Sequence, residues 1–129
     1  MTNIREMLDW AHRGKGHLHI AGPQGSGKTS LARAIVSAQG HSNFIFVGTR
    51  VIAQDFNGWL EPMKTIVIEM EGATPEDMEE LNKLMFGETI VIRRRGQTNV
   101  EIPNYKRWIL VGGDDAIVRF DEEVTEFSL

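Results

Sequence analysis

Between residues 17 and 40 the chain carries an apolar run, a glycine-punctuated octet and an amphipathic run in direct succession, and few folds accommodate all three. His17-Leu18-His19-Ile20-Ala21 reads as a short strand. Gly22-Pro23-Gln24-Gly25-Ser26-Gly27-Lys28-Thr29 matches the pattern G-x-x-x-x-G-K-S/T at every position. Ser30 to Gln39 reads as a helix with Leu31, Ala34, Ile35 and Ala38 on one face and Gly40 as its stop. Gly25 and Gly27 let backbone amides turn toward a chain of phosphates, Lys28 can reach the β- and γ-phosphates, and the Thr29 hydroxyl suits magnesium. The helix that follows aims its free amides at the same place. Gly22, Pro23, Gln24, Gly25, Ser26, Gly27, Lys28, Thr29 and Ser30 are therefore candidates for binding ATP, with Mg2+ as the accompanying ion.

At 129 residues the chain is expected to form one domain spanning 1–129. The 41% hydrophobic and 25% charged residues are the balance of a soluble globular protein. The absence of cysteine excludes disulfides, thiolate chemistry and cysteine-ligated zinc. No apolar run approaches the roughly 20 residues that cross a bilayer, and no signal pattern opens the chain, so a cytoplasmic protein without membrane contact is expected. A net charge of −4 confines any contact with nucleic acid to a local basic patch.

Further along, Asn3 to His12 has the spacing of a short amphipathic helix. Phe44 to Val47 reads as a second buried strand, and Thr65 to Glu69 as a third, apolar enough for burial on both faces of a parallel sheet. Thr74-Pro75-Glu76-Asp77 has a capping residue, a first-turn proline and an acid at the third position, which opens a helix buried through Met78, Leu81, Leu84 and Met85. Glu88 to Arg93 and Thr98 to Ile102, joined by Arg94-Arg95-Gly96-Gln97, read as a β-hairpin with a basic tip. Trp108 to Val111 and Val124 to Phe127 supply two more strands. The expected fold is α/β: a phosphate-loop NTPase with a mostly parallel central sheet flanked by helices and a β-hairpin insertion.

In order and spacing, the phosphate loop, a strand ending in acids, a helix, a basic hairpin and a strand ending in polar residues resemble the superfamily 3 helicases of small viruses and plasmids, within the AAA+ class. The resemblance runs from about Leu18 to Phe127. It implies that Glu69 helps hold magnesium, a role that suits a carboxylate facing a hard cation. Where the family carries the acid that activates the attacking water, this chain has Met70; Glu71 could take over if the strand end bulges, although alternation along a strand puts Glu69 and Glu71 on the same face, and exposed acids closing a strand are the alternative. The resemblance further implies that Arg93, Arg94 and Arg95 grip single-stranded nucleic acid, DNA before RNA, along its phosphates. A solvated hairpin turn is the other home for such a run. Asp114 stands where the family has a water-orienting asparagine, although a plain Gly-Gly-Asp turn fits as well. Arg119 stands where the family offers an arginine to the ATP of a neighbouring subunit, which implies a homo-oligomeric ring; a surface arginine beside a strand is the alternative.

Lys28, Glu69, Glu71, Asp114 and Arg119 are thus the catalytic candidates, and Thr29 and Glu69 the metal candidates. Three readings follow. One is a ring-forming, helicase-like ATPase of viral or plasmid replication, coupling hydrolysis to movement along single-stranded nucleic acid. Another is a regulatory or assembly subunit that binds nucleotide and hydrolyses it weakly, the reading that Met70 and Asp114 support. The third is a small-metabolite kinase, which needs a lid that a chain of this length has little room to build.

Overall fold

In the computed structural model the structure describes residues 9–10, 16–23, 25–38, 44–48, 56–112 and 124–129. Five strands form one sheet: β1 (Leu18–Ala21), β2 (Phe44–Gly48), β3 (Thr65–Glu69), β6 (Arg107–Val111) and β7 (Thr125–Ser128). Their order is β2-β3-β6-β1-β7, and every pairing is parallel. Parallel neighbours need crossovers, and the described crossover elements are the helices α1 (Lys28–Ala38) and α2 (Pro75–Phe86). Between α2 and β6 lies an antiparallel hairpin of β4 (Thr89–Ile92) and β5 (Val100–Pro103), which forms its own two-stranded sheet. The mostly parallel sheet with flanking helices and a hairpin insertion is the α/β architecture expected from the sequence.

The two faces of the sheet hold separate cores, which is why the central strands read as unbroken apolar runs. Ile66, Ile68, Trp108 and Leu110 pack with Met78, Leu81 and Met85 of α2 and with Ile90 and Ile92 of the hairpin. Leu18, Ile20, Val67, Ile109 and Val111 pack on the other face with Ala32, Ile35 and Val36 of α1, and with Trp10. The apolar face of α1 therefore differs from the one expected. It is built from Ala32, Ile35 and Val36 with Leu31 at its edge, while Ala34 and Ala38 are exposed. Alanine weighs little in a period count, and the neighbouring Val36 decides which way the helix turns. The helix also begins at Lys28, inside the octet, two residues ahead of the expected start.

For α2 the expected signals are all present. Thr74 Oγ1 accepts from the Asp77 amide (3.1 Å), Asp77 Oδ2 accepts from the Thr74 amide (3.0 Å), and Pro75 occupies the first turn. Asn82 is buried beside Met78, Leu81 and Met85, and Leu84 is only partly so. The far end of α2 is closed from a distance: Asn104, after β5, donates from Nδ2 to the carbonyls of Leu84 (2.8 Å) and Gly87 (2.8 Å). His17, ahead of β1, donates from Nε2 to the Met85 carbonyl (3.0 Å) and accepts the Trp108 amide at Nδ1 (3.1 Å). Both ring nitrogens are thereby committed to the neutral ring. Burial holds the His17 pKa below the usual histidine value; the Met85 bond opposes that and the nearby Arg107 charge adds to it. Arg107 itself lies 3.6 Å from the ring centre of Trp10 and donates to the Trp10 carbonyl (2.7 Å). Of the expected helix from Asn3 to His12, Asp9 and Trp10 are described and are helical; His12 and Gly40 lie outside the described residues.

Candidate functional site

The C-terminal ends of β1, β3 and β6 meet at the octet, because these strands are adjacent in the order β3-β6-β1. Gly25 and Gly27 both have positive φ, 82° and 89°, and a side chain at either position would strain the loop. At Gly22 the constraint is space: a Cβ there would lie 2.9 Å from Ser26 Oγ and 3.1 Å from the Leu129 carbonyl oxygen. Lys28 bends back over the loop, and its ammonium donates to the carbonyls of Gly22 (2.6 Å) and Pro23 (2.9 Å). The first turn of α1 is secured where the Leu31 amide donates to the Gly27 carbonyl (2.9 Å).

Thr29, in that first turn, donates from Oγ1 to Glu69 Oε1 at 3.0 Å. A hydroxyl from the loop and a carboxylate from the end of β3 thus share one place, although 40 residues separate them. These are oxygen donors of the kind a hard cation selects. Their chemistry fits magnesium, which is held by one or two protein oxygens beside phosphate oxygens and water; among the described residues no group of three or more His, Cys, Asp or Glu forms a metal cage. Glu69 lies opposite Val111 of β6, and one residue further on the Met70 amide donates to the Val111 carbonyl (2.9 Å).

Beyond Glu69 the backbone does not bulge. Met70 is 2% exposed and packs in the core facing α2. The Ala73 amide then donates to the Met70 carbonyl (3.1 Å), closing a turn over Glu71 and Gly72 in which Gly72 has φ +78°. Glu71 is exposed in that turn. Of the two acids, the structure brings Glu69 to the loop's threonine.

The hairpin strands are shorter than the sequence suggests, and the turn sits where expected: the Gln97 amide donates to the Arg94 carbonyl (3.3 Å), with Gly96 at φ +71°. The three arginines are each met by the segment that precedes β3. Asn57 takes the Arg93 amide on its Oδ1 (2.6 Å), gives its own amide to the Arg93 carbonyl (3.0 Å) and reaches the Val91 carbonyl with Nδ2 (3.1 Å). Arg94 forms an ion pair with Glu61. The Arg95 guanidinium lies 5.3 Å from the ring centre of Phe56, which is itself exposed. Lys106 ties the same segment down by donating to the carbonyls of Glu61 (3.0 Å) and Met63 (2.7 Å); its pKa is lowered by burial, against the pull of the Glu61 charge.

Phe56, Asn57 and Glu61 were not candidates on sequence grounds. The segment through Trp59 has no period, and nothing in its composition points to a hairpin more than 30 residues later. Trp108 is fully buried and Trp59 partly so, both against the core facing α2. Gln24, Asp114 and Arg119 lie outside the described residues. Among the described residues no helix is long and apolar enough to cross a membrane.

Residues 20–124 match the family model of DUF5906, a family of unknown function, and the chain belongs to that family. No curated protein matches it. Among solved structures, an apo form of the NrS-1 C-terminal region superposes with a TM-score of 0.71 at 16% identity, over 95% of this chain and 31% of that one. The JCV helicase, solved with a bound acetamide compound, gives 0.59 at 18% identity over 97% and 40%. At such identities the likeness is one of fold. The chain spans about a third of the length of the NrS-1 structures it matches.

Proposed function

We propose that this member of DUF5906 is the ATP-binding and hydrolysing core of a helicase-like motor that acts on single-stranded nucleic acid, DNA in the first instance, and works as a homo-oligomeric ring. The observation that carries the reading is the Thr29–Glu69 contact: across the intervening β6 it joins the octet to the carboxylate at the end of the acid-bearing strand β3. In this reading the amides of Gly25 to Lys28 and the Lys28 ammonium hold the phosphates, and Thr29 and Glu69 hold Mg2+. When bound there, Mg2+ would supply charge neutralisation at the phosphoryl group. Glu69 and Thr29 orient one another, and Lys28 places its charge at the β- and γ-phosphates. The hairpin arginines give the track for the nucleic-acid backbone, and the fold shared with the JCV helicase supports that assignment. Arg119 is proposed as the arginine offered to a neighbouring subunit, and Asp114 as the residue in place of the family's water-orienting asparagine.

One observation favours a second reading. Met70 points into the core, so the acid beside Glu69 that activates water in superfamily 3 helicases has no counterpart at that position. A subunit that holds ATP tightly and turns it over slowly would follow. The test is ATP hydrolysis with and without single-stranded DNA, alongside calorimetric ATP binding, for the wild type and for Lys28→Ala. Stimulated turnover that is lost in Lys28→Ala supports the motor. Binding without stimulation supports the second reading, and binding unaltered by Lys28→Ala removes the phosphate-loop assignment.

A further inference from the structure

His19 stands in β1 between Leu18 and Ile20, whose side chains enter the core facing α1, so its imidazole faces the opposite side of the sheet. It is 5% exposed. A buried imidazole needs a partner, and the partner is the carbonyl of Gly112, which Nε2 meets at 2.6 Å. A carbonyl can only accept, so Nε2 carries the proton. On the other side of the ring, Nδ1 is 3.7 Å from Glu126 Oε2 on β7.

Gly112 is the residue at which β6 leaves the sheet. Its φ is +91°, and its amide donates to the Ile20 carbonyl (2.9 Å). Both polar groups of its backbone are therefore held by β1, one through the main chain and one through His19. The place matters because β6 runs between the strand of Glu69 and the strand that enters the phosphate loop. A Cβ on Gly112 would touch Lys28 Cε at 3.8 Å, so Gly112 lies against the lysine side chain.

We propose that His19 is a positioning residue of the phosphate site: by holding the Gly112 carbonyl it fixes the end of β6 against Lys28 and so sets where the lysine charge meets the terminal phosphate. The inference rests on the nucleotide-binding reading above. It concerns discrimination at the far end of the phosphate chain, because the loop amides hold the α- and β-phosphates and the γ-phosphate is met by Lys28 without them.

The test uses fluorescent mant-AMP-PNP and mant-ADP with Mg2+, and compares His19→Leu, His19→Asn and His19→Gln with the wild type. A glutamine amide nitrogen falls where Nε2 sits, whereas that of asparagine falls short of it. The expected result is that Leu and Asn weaken mant-AMP-PNP binding about tenfold and leave mant-ADP within about twofold, and that Gln restores the triphosphate affinity. General damage to the fold would weaken both nucleotides together, and that result overturns the proposal. Unchanged mant-AMP-PNP affinity in Leu and Asn, or a Gln variant as weak as Leu, overturns it too. A wild type that binds neither nucleotide overturns the nucleotide-binding reading itself, and this inference with it.

Discussion

Arg94 of the hairpin turn and Glu61, 33 residues earlier, form an ion pair with both side chains about one-third exposed. The carboxylate thereby occupies a guanidinium that nucleic-acid phosphates would also seek. At that exposure the pair contributes roughly 0.2–1 kcal/mol to stability, so its removal should leave the fold intact. Glu61→Ala is expected to raise single-stranded DNA affinity and steepen its salt dependence, and Arg94→Ala to lower the affinity and flatten the slope by about 0.7 in log–log terms. Fluorescence anisotropy at several salt concentrations measures both, and identical slopes for the two variants would remove Arg94 from the track.

Met70 offers a test of the strand end. Resemblance to the helicases makes Met70→Glu a route to faster turnover, but the side chain lies in the core facing α2. A glutamate there is buried without a partner, at a cost of about 3–5 kcal/mol. The expected outcome is a fall in the thermal midpoint of 10 °C or more, on the order of 4 °C per kcal/mol, with no gain in ATP hydrolysis. A stable variant with higher turnover would show that the acid reaches the phosphate site.

For the two acids that flank Met70, Glu69→Gln should raise the Mg2+ concentration needed for nucleotide binding by roughly 10–100-fold, because the amide loses the charge that faces the ion while still accepting from Thr29. Glu71, exposed in the turn, should tolerate the same change with a much smaller effect. A magnesium titration followed by mant-ADP fluorescence separates them. Equal shifts for both would mean that the turn folds over the site when nucleotide is bound.

His17 should make stability depend on pH. Its pKa in the folded protein lies below that of the unfolded chain, near 6.5. The contribution of the neutral ring is therefore fully present above about pH 6.5, and is lost as the pH falls through the folded value, where the unfolded state takes up the proton first. Urea midpoints at pH 7.5 and 5.5 should fall for the wild type and differ less for His17→Gln. An equal fall in both would assign the acid sensitivity to other groups.

The octet, the capped start of α2 and the apolar strands were legible in the sequence because each is a local matter. Gly25 and Gly27 supply conformations other residues resist, Thr74 and Asp77 cap within a single turn, and a strand buried on both faces shows as an unbroken apolar run such as Thr65 to Ile68. Even the order of these elements suffices to expect a parallel sheet. The tertiary structure alone decided which distant groups meet. Whether Thr29 reaches Glu69, or Phe56, Asn57 and Glu61 reach three arginines, depends on strand order and on the path of a segment with no period of its own. The face of α1 and the inward turn of Met70 were settled in the same way, since burial against a partner outweighs the small differences between neighbouring residues that a pattern can register.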